Sequence, residues 1–76
     1  MVLDRQSPDA LYVQLAETLR KLIRTGKLTG KIPTIEDLAA DYDVSEATVR
    51  KAIDELKQEG VVRTSRGRGT YVTPHA

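Results

Sequence analysis

The sequence predicts a mostly helical domain closed by a small β-hairpin, and three observations carry this. Apolar residues recur at three- and four-residue spacing in three segments, each with a start signal and a break. Two short runs rich in Val, Thr and Tyr follow, separated by a stretch of glycine and arginine. The 76 residues include no cysteine and one histidine, so disulfides and a zinc staple are not available. A domain this short buries only about 60% of the surface its unfolded chain exposes. Closure has to come from packing.

The first helix is predicted over residues 8–25. Ser7 is a capping acceptor, Pro8 suits the first helical position, and Asp9 favours the positive end of the helix dipole. Leu11, Leu15, Leu19, Leu22 and Ile23 form one apolar stripe. Arg20, Lys21 and Arg24 lie toward the negative end, and Gly26 stops the helix as a left-handed cap. Residues 27–33 form a connection containing Gly30 and Pro33, with Ile32 a candidate for a very short strand.

The second helix is predicted over 34–42, capped by Thr34, with Glu36 and Asp37 in its first turn. Ile35, Leu38, Ala39 and Tyr42 face inward, and the helix ends at Asp41-Tyr42-Asp43, a turn without glycine. The third helix spans 45–59: Ser45 caps it, Val49, Ala52, Ile53 and Leu56 face inward, and Gly60 closes it. So short a turn between two helices is the helix-turn-helix pattern.

A hairpin follows over about 61–73, with strands at 61–64 and 70–73 and a tip at Ser65-Arg66-Gly67-Arg68-Gly69. Pro74 ends it. Three helices plus this hairpin make a winged helix-turn-helix, a single domain over 1–76, with the hairpin covering the open side of the helices. Tyr12 and Tyr42 are expected in or at the edge of the core, and Tyr71 against helix three or helix one. His75 is expected to be a solvated terminal residue.

Charge narrows the function. Twelve Lys and Arg against eleven Asp and Glu leave +1. The signs are segregated: 20–31 is basic with no acid, 36–46 is acidic with no base, and 60–76 is basic again. No apolar run approaches the roughly 18 residues of a membrane span, and the N-terminus has no signal-peptide core, which points to the cytoplasm. Asp41, Asp43 and Glu46 lack the glycine and closing glutamate of a calcium loop. No nucleophile pair and no phosphate loop is present, so the sequence predicts no enzyme, no cofactor and no metal.

The third helix carries the first binding signal. Ala47, Arg50, Lys51 and Asp54 point away from its apolar side. Read plainly, this is a solvated face with Arg50 and Asp54 paired one turn apart. In a helix-turn-helix, however, the N-terminal part of this helix enters the major groove. Arg50 could then reach guanine O6 and N7, Ala47 a thymine methyl, and Ser45, Thr48 and Lys51 the phosphates. The hairpin tip decides between the two readings. Arg66, Gly67, Arg68 and Gly69 put two arginines on a glycine turn that can approach another surface closely, and arginine is attracted to a narrow minor groove. Double-stranded DNA is the predicted partner. The basic end of helix one is expected to offset the dipole rather than face phosphate.

These residues resemble the N-terminal DNA-binding domain of GntR-type bacterial transcription regulators over about residues 8–73. The resemblance runs through Leu11-Tyr12-Val13-Gln14-Leu15-Ala16, then Gly26-Lys27-Leu28 with Gly30, then Pro33-Thr34 with Leu38-Ala39. It continues in Val44-Ser45, Thr48-Val49-Arg50, Ala52-Ile53, Leu56 and Glu59-Gly60, and ends in Gly67-Arg68-Gly69-Thr70-Tyr71-Val72. It implies that Arg50 reaches a base, that Ser45 and Thr48 hold phosphate, and that Gly67 and Arg68 enter the minor groove. It implies a transcription regulator, with repression the favoured action, in the cytoplasm at the nucleoid.

Two positions depart from the family pattern. Glu36 stands where an arginine is usual near Thr34, and Glu46 stands where an arginine often follows the Val-Ser. Two positive groups become negative, which points to a changed operator, with a carboxylate accepting from a cytosine amine, and to modest monomer affinity. The family normally adds an effector-binding and dimerising domain, whereas this chain stops after His75-Ala76. The sequence therefore assigns no small-molecule effector site, and expects a weak homodimer at most, or one formed only on DNA. The alternative function is a winged-helix protein-interaction module docking a basic partner on the acidic stretch 36–46.

Overall fold

A computed structural model describes residues 3, 5, 6 and 10–73. The element order is α1 (Leu11–Arg24), α2 (Ile35–Tyr42), α3 (Glu46–Gln58), β1 (Val62–Ser65) and β2 (Gly69–Val72). This is the expected winged helix-turn-helix.

Helix α1 starts at Leu11, later than the sequence suggested. Ala10 has extended backbone (φ −61°, ψ 151°) and offers no side-chain cap. Its carbonyl accepts from Val13 and Gln14 at 3.0 and 3.2 Å. The start signal Ser7-Pro8-Asp9 lies outside the described residues. Leu11 is the first stripe residue to pack on the core, so the helix begins where burial begins. Leu3, unassigned by the sequence reading, is 7% exposed and joins that core.

All three helices end in one way. In each, an amide just past the helix bonds back to the carbonyl five residues earlier: Lys27 to Leu22, Val44 to Ala39, and Val61 to Leu56. This motif needs one left-handed residue. Gly26 and Gly60 supply it for α1 and α3. After α2 the residue is Asp43 (φ 54°), a side chain that tolerates this region better than most. Arg5 secures it, donating to the Asp43 carbonyl and lying 3.5 Å from its carboxylate.

The N-caps of α2 and α3 are those expected. Thr34 Oγ1 accepts from Asp37 N, and Ser45 Oγ from Thr48 N, each at 3.1 Å. Helix α2 buries Leu38 and Tyr42, and α3 buries Val49, Ala52, Ile53 and Leu56. Burial pushes the Tyr42 phenol pKa up, with the Asp41 charge adding to it.

The hairpin is antiparallel, with Val62 opposite Val72 and Ser65 opposite Gly69. The strands sit one residue from the predicted ones. Thr73 N still donates to Val61 O at 2.9 Å, which extends the pairing to the expected limits. The short strand suggested at Ile32 exists as a bridge between Lys31 and Tyr71. Ile32 N donates to Thr70 O at 2.9 Å and Val72 N to Gly30 O at 2.8 Å. The connection before α2 is thus bonded to the free edge of β2 without forming a strand of its own. Tyr71 does not pack on α1 or α3 as expected. Strand alternation gives the inward position to Val72, which packs on the core. Tyr71 lies opposite Arg63, with its hydroxyl donating to Arg68 O at 3.3 Å.

Among the described residues no polar or charged residue is buried. One ion pair links distant helices. Arg20 Nε and Nη2 donate to the two Glu59 carboxylate oxygens at 2.7 and 2.5 Å, joining α1 to the cap residue of α3. Hydrogen bonding to Arg20 holds the Glu59 carboxyl below its ordinary pKa, and the same bond raises that of the guanidinium. So Arg20 serves the fold.

Because the folded pKa of Glu59 is depressed, its stabilisation is complete above the unfolded value and is lost as pH falls through the folded one. Glu59→Gln should therefore lower stability by about 0.2–1 kcal/mol at neutral pH, the range for a surface pair in contact with solvent. Urea denaturation should show this gap closing as the solution is acidified below the ordinary carboxylate range.

Candidate nucleic-acid interface

The two caps that build the helix-turn-helix also set its exposed face. With Val49, Ile53 and Leu56 buried, Ser45, Glu46, Ala47, Arg50 and Lys51 are exposed and Thr48 is half-buried. Ser45 Oγ accepts the Thr48 amide and donates to Thr48 Oγ1 at 3.0 Å. The Thr48 hydroxyl proton is then left to be donated elsewhere.

Arg50 does not pair with Asp54, the partner the plain reading gave it. Its Nη2 lies 3.4 Å from Glu46 Oε1, one turn toward the helix start, while Asp54 is 4.0 Å from Lys57 Nζ. Glutamate N-terminal to a basic residue is the orientation the helix dipole favours. The Lys51 ammonium sits 4.2 Å from the centre of the Tyr12 ring. That cation–π contact holds the charged end of the lysine beside the start of α1.

Two clefts flank α3. One lies between α2, α3 and β2, and brings together Lys31, Thr34, Glu36, Glu46, Arg50 and Gly69. The other lies between the start of α1 and α3, and joins Tyr12, Ala47, Thr48 and Lys51. Apart from Ser45, the predicted site residues of the helix-turn-helix therefore line these two clefts on either side of α3.

The wing tip is Arg66-Gly67-Arg68, closed by Arg68 N donating to Ser65 O at 3.0 Å. Gly67 has φ 76°, which suits the third position of a tight turn. Arg66 and Arg68 are exposed and make no ion pair among the described residues. Gly69 connects tip and cleft. Its φ is 113°, and a Cβ there would lie 2.9 Å from Lys31 Cε. Lys31 thus runs across the base of the wing.

Lys31 and Tyr12 were not among the site residues read from the sequence. Each is a neighbour of the site only through tertiary pairing, Lys31 by its bridge to β2 and Tyr12 by the packing of α1 on α3. The acidic stretch is dispersed. Asp43 is held by Arg5 and Glu46 by Arg50, while Glu36 and Asp37 occupy the first turn of α2, where negative charge is favoured. Among the described residues no three His, Cys, Asp or Glu side chains converge on a point, and no helix is long and apolar enough to cross a membrane. His75 lies outside the described residues.

Residues 11–72 match the profile of the bacterial regulatory proteins of the gntR family. The chain is 36% identical over 76 residues to the HTH-type transcriptional repressor YtrA of Bacillus subtilis, covering 97% of this chain and 58% of that protein. It covers 30% of two other regulators it matches, so it spans less than two thirds of the length of these curated relatives. Among solved structures, the AraR DNA-binding domain in complex with operator ORX1 superposes with a TM-score of 0.84 at 36% identity, covering 96% of this chain and 95% of that one. YtrA from Sulfolobus acidocaldarius, a GntR-family transcription factor, gives 0.88 at 32% identity, covering 96% and 79%.

The backbone at the wing base sets a stability test. Gly69→Ala should cost about 1 kcal/mol or more from strain at its positive φ, because the flexible end of Lys31 can swing aside from the new methyl group. In a Lys31→Ala background the cost should therefore stay nearly the same. Thermal denaturation of the four proteins measures this. Ser45→Ala, which removes a helix cap, should cost about 1 kcal/mol.

Proposed function

This chain belongs to the gntR family of bacterial regulatory proteins, and on that premise we propose that it is the DNA-reading head of a transcription regulator that acts as a repressor. The observation that carries this is the exposed α3 face with Arg50 beside an arginine-tipped wing, in a fold shared with an operator-bound domain. Family membership supports a regulatory rather than an enzymatic role.

Helix α3 lies in the major groove with its N-terminal residues against the base edges. Arg50 reads a base, with Glu46 and Ala47 beside it. Ser45, Thr48 and Lys51 hold phosphate, helped by the free Thr48 proton and by the anchoring of Lys51 on Tyr12. Thr34 and Glu36 border the same cleft. The wing residues Arg66, Gly67, Arg68 and Gly69 enter the adjacent minor groove. The chain pairs weakly with a second copy at most, or only when both sit on DNA, and no small-molecule effector site is assigned to it. Its place of action is the cytoplasmic nucleoid.

The protein-interaction alternative is not favoured. It needs the acidic stretch as one available patch, and Asp43 and Glu46 are already engaged by Arg5 and Arg50.

Binding to an operator selected from random duplex DNA tests the proposal. Affinity should fall linearly with the logarithm of salt concentration, as phosphate contacts release counterions. Arg50→Ala should cost about 1–3 kcal/mol and relax one base position, whereas Lys51→Ala should weaken all sequences alike and reduce the salt slope by about one. Unchanged operator affinity in both Arg50→Ala and Arg68→Ala would sink the proposal.

A further inference from the structure

Resting on the DNA-binding reading above, we propose that Glu46 and Arg50 act together as a two-base reader. Arg50 takes a guanine, and Glu46 takes the amino group of a cytosine one or two base pairs away.

The geometry of the pair carries this. Glu46 is the first residue of α3, one turn ahead of Arg50, with Oε1 3.4 Å from Arg50 Nη2. Neither is confined by burial, their side chains being 48% and 61% exposed. The contact occupies one of five guanidinium N–H donors, which leaves a two-pronged edge for guanine O6 and N7. It occupies one carboxylate oxygen as well, leaving Oε2 to accept from a second donor while Oε1 stays on Arg50.

Base chemistry selects that donor. A carboxylate only accepts, so phosphate oxygens repel it. In the major groove the amino donors are cytosine N4 and adenine N6. Adenine sets its N7 acceptor beside N6, and a second carboxylate oxygen cannot satisfy it. Cytosine makes no such demand. Glu36 borders the same cleft and adds a second negative group, which turns this wall further from phosphate toward amino donors.

Spacing limits where the cytosine lies. One helical turn advances about 5.4 Å, against a base-pair step of about 3.4 Å. Two side chains one turn apart therefore reach bases one to two steps apart.

The test is selection of bound sequences from random duplex DNA by the wild type, Glu46→Gln, Glu46→Ala and Arg50→Ala, with circular dichroism on each protein. The wild-type motif should hold a guanine with a cytosine one or two positions away. Glutamine pairs with adenine N6 and N7. Glu46→Gln should therefore replace that cytosine by adenine and keep the guanine, with about a tenfold exchange of preference between the two operators. Glu46→Ala should accept any base at the cytosine position. Arg50→Ala should lose the guanine. If the wild type selects a motif whose guanine depends on Arg50, but neither Glu46 variant alters any position, the paired reader is wrong and DNA reading stands. If the wild type selects no motif, both fail.

Discussion

Leu15, Leu19, Val49, Leu56 and Val62 meet where α1, α3 and β1 converge, and each is at most 2% exposed. Burying side chains of this size is worth about 1.5–3 kcal/mol apiece. The chain has no disulfide to fall back on, and among the described residues no buried polar network accompanies this seam. The position of the exposed α3 face follows from it. Once Val49, Ile53 and Leu56 are turned inward, the opposite side of α3 presents Glu46, Ala47, Arg50 and Lys51 to solvent. The hairpin enters the same seam through Val62 and is tied a second time by the backbone bonds from Gly30 and Ile32 to β2. Wing and recognition helix are therefore held by one core rather than by a flexible joint.

Electrostatics act on top of that frame, and a net charge of +1 conceals the arrangement. Some charges serve the fold: Arg20 closes on Glu59 across two helices, and Arg5 holds the left-handed residue after α2. Others lie on the outer face, where Glu46 meets Arg50 and Lys51 rests over Tyr12. The wing tip keeps its arginines apart from any acid among the described residues. A surface of mixed sign on α3 beside a purely cationic tip suits two tasks, discriminating base edges and attracting phosphate.

Much of this was readable in advance because the signals are local. Thr34 and Ser45 cap the helices they were expected to cap, since a hydroxyl accepting from an amide three residues on needs no distant partner. The apolar stripe on α3 is buried as its spacing indicated, and on α2 Leu38 and Tyr42 are buried while Ile35 and Ala39 pack half-buried beside them. Local signals also misled. Ser7-Pro8-Asp9 reads as a helix start, yet the backbone at Ala10 is extended and α1 begins at Leu11. Arg50 had carboxylates available one turn away in both directions and took Glu46, the orientation the dipole favours. Tyr71 was expected on the helices, but Val72 takes the inward position, and strand alternation then turns Tyr71 to the opposite face, across from Arg63.

The sequence by itself determined the element order, two N-caps, the glycine stops of α1 and α3, the inward stripes and the family, because each depends on residues within about one or two helical turns or on a linear motif. Only the tertiary structure decided which charges are neighbours. Lys31 reaches the wing base at Gly69, Tyr12 reaches Lys51, and Arg20 reaches Glu59 because backbone pairing and helix packing bring them together across gaps of 38 or more residues. Side-chain charge carries no periodic signal for such partners. Their pairing is a consequence of the packed core, and so it could not be read before the core was seen.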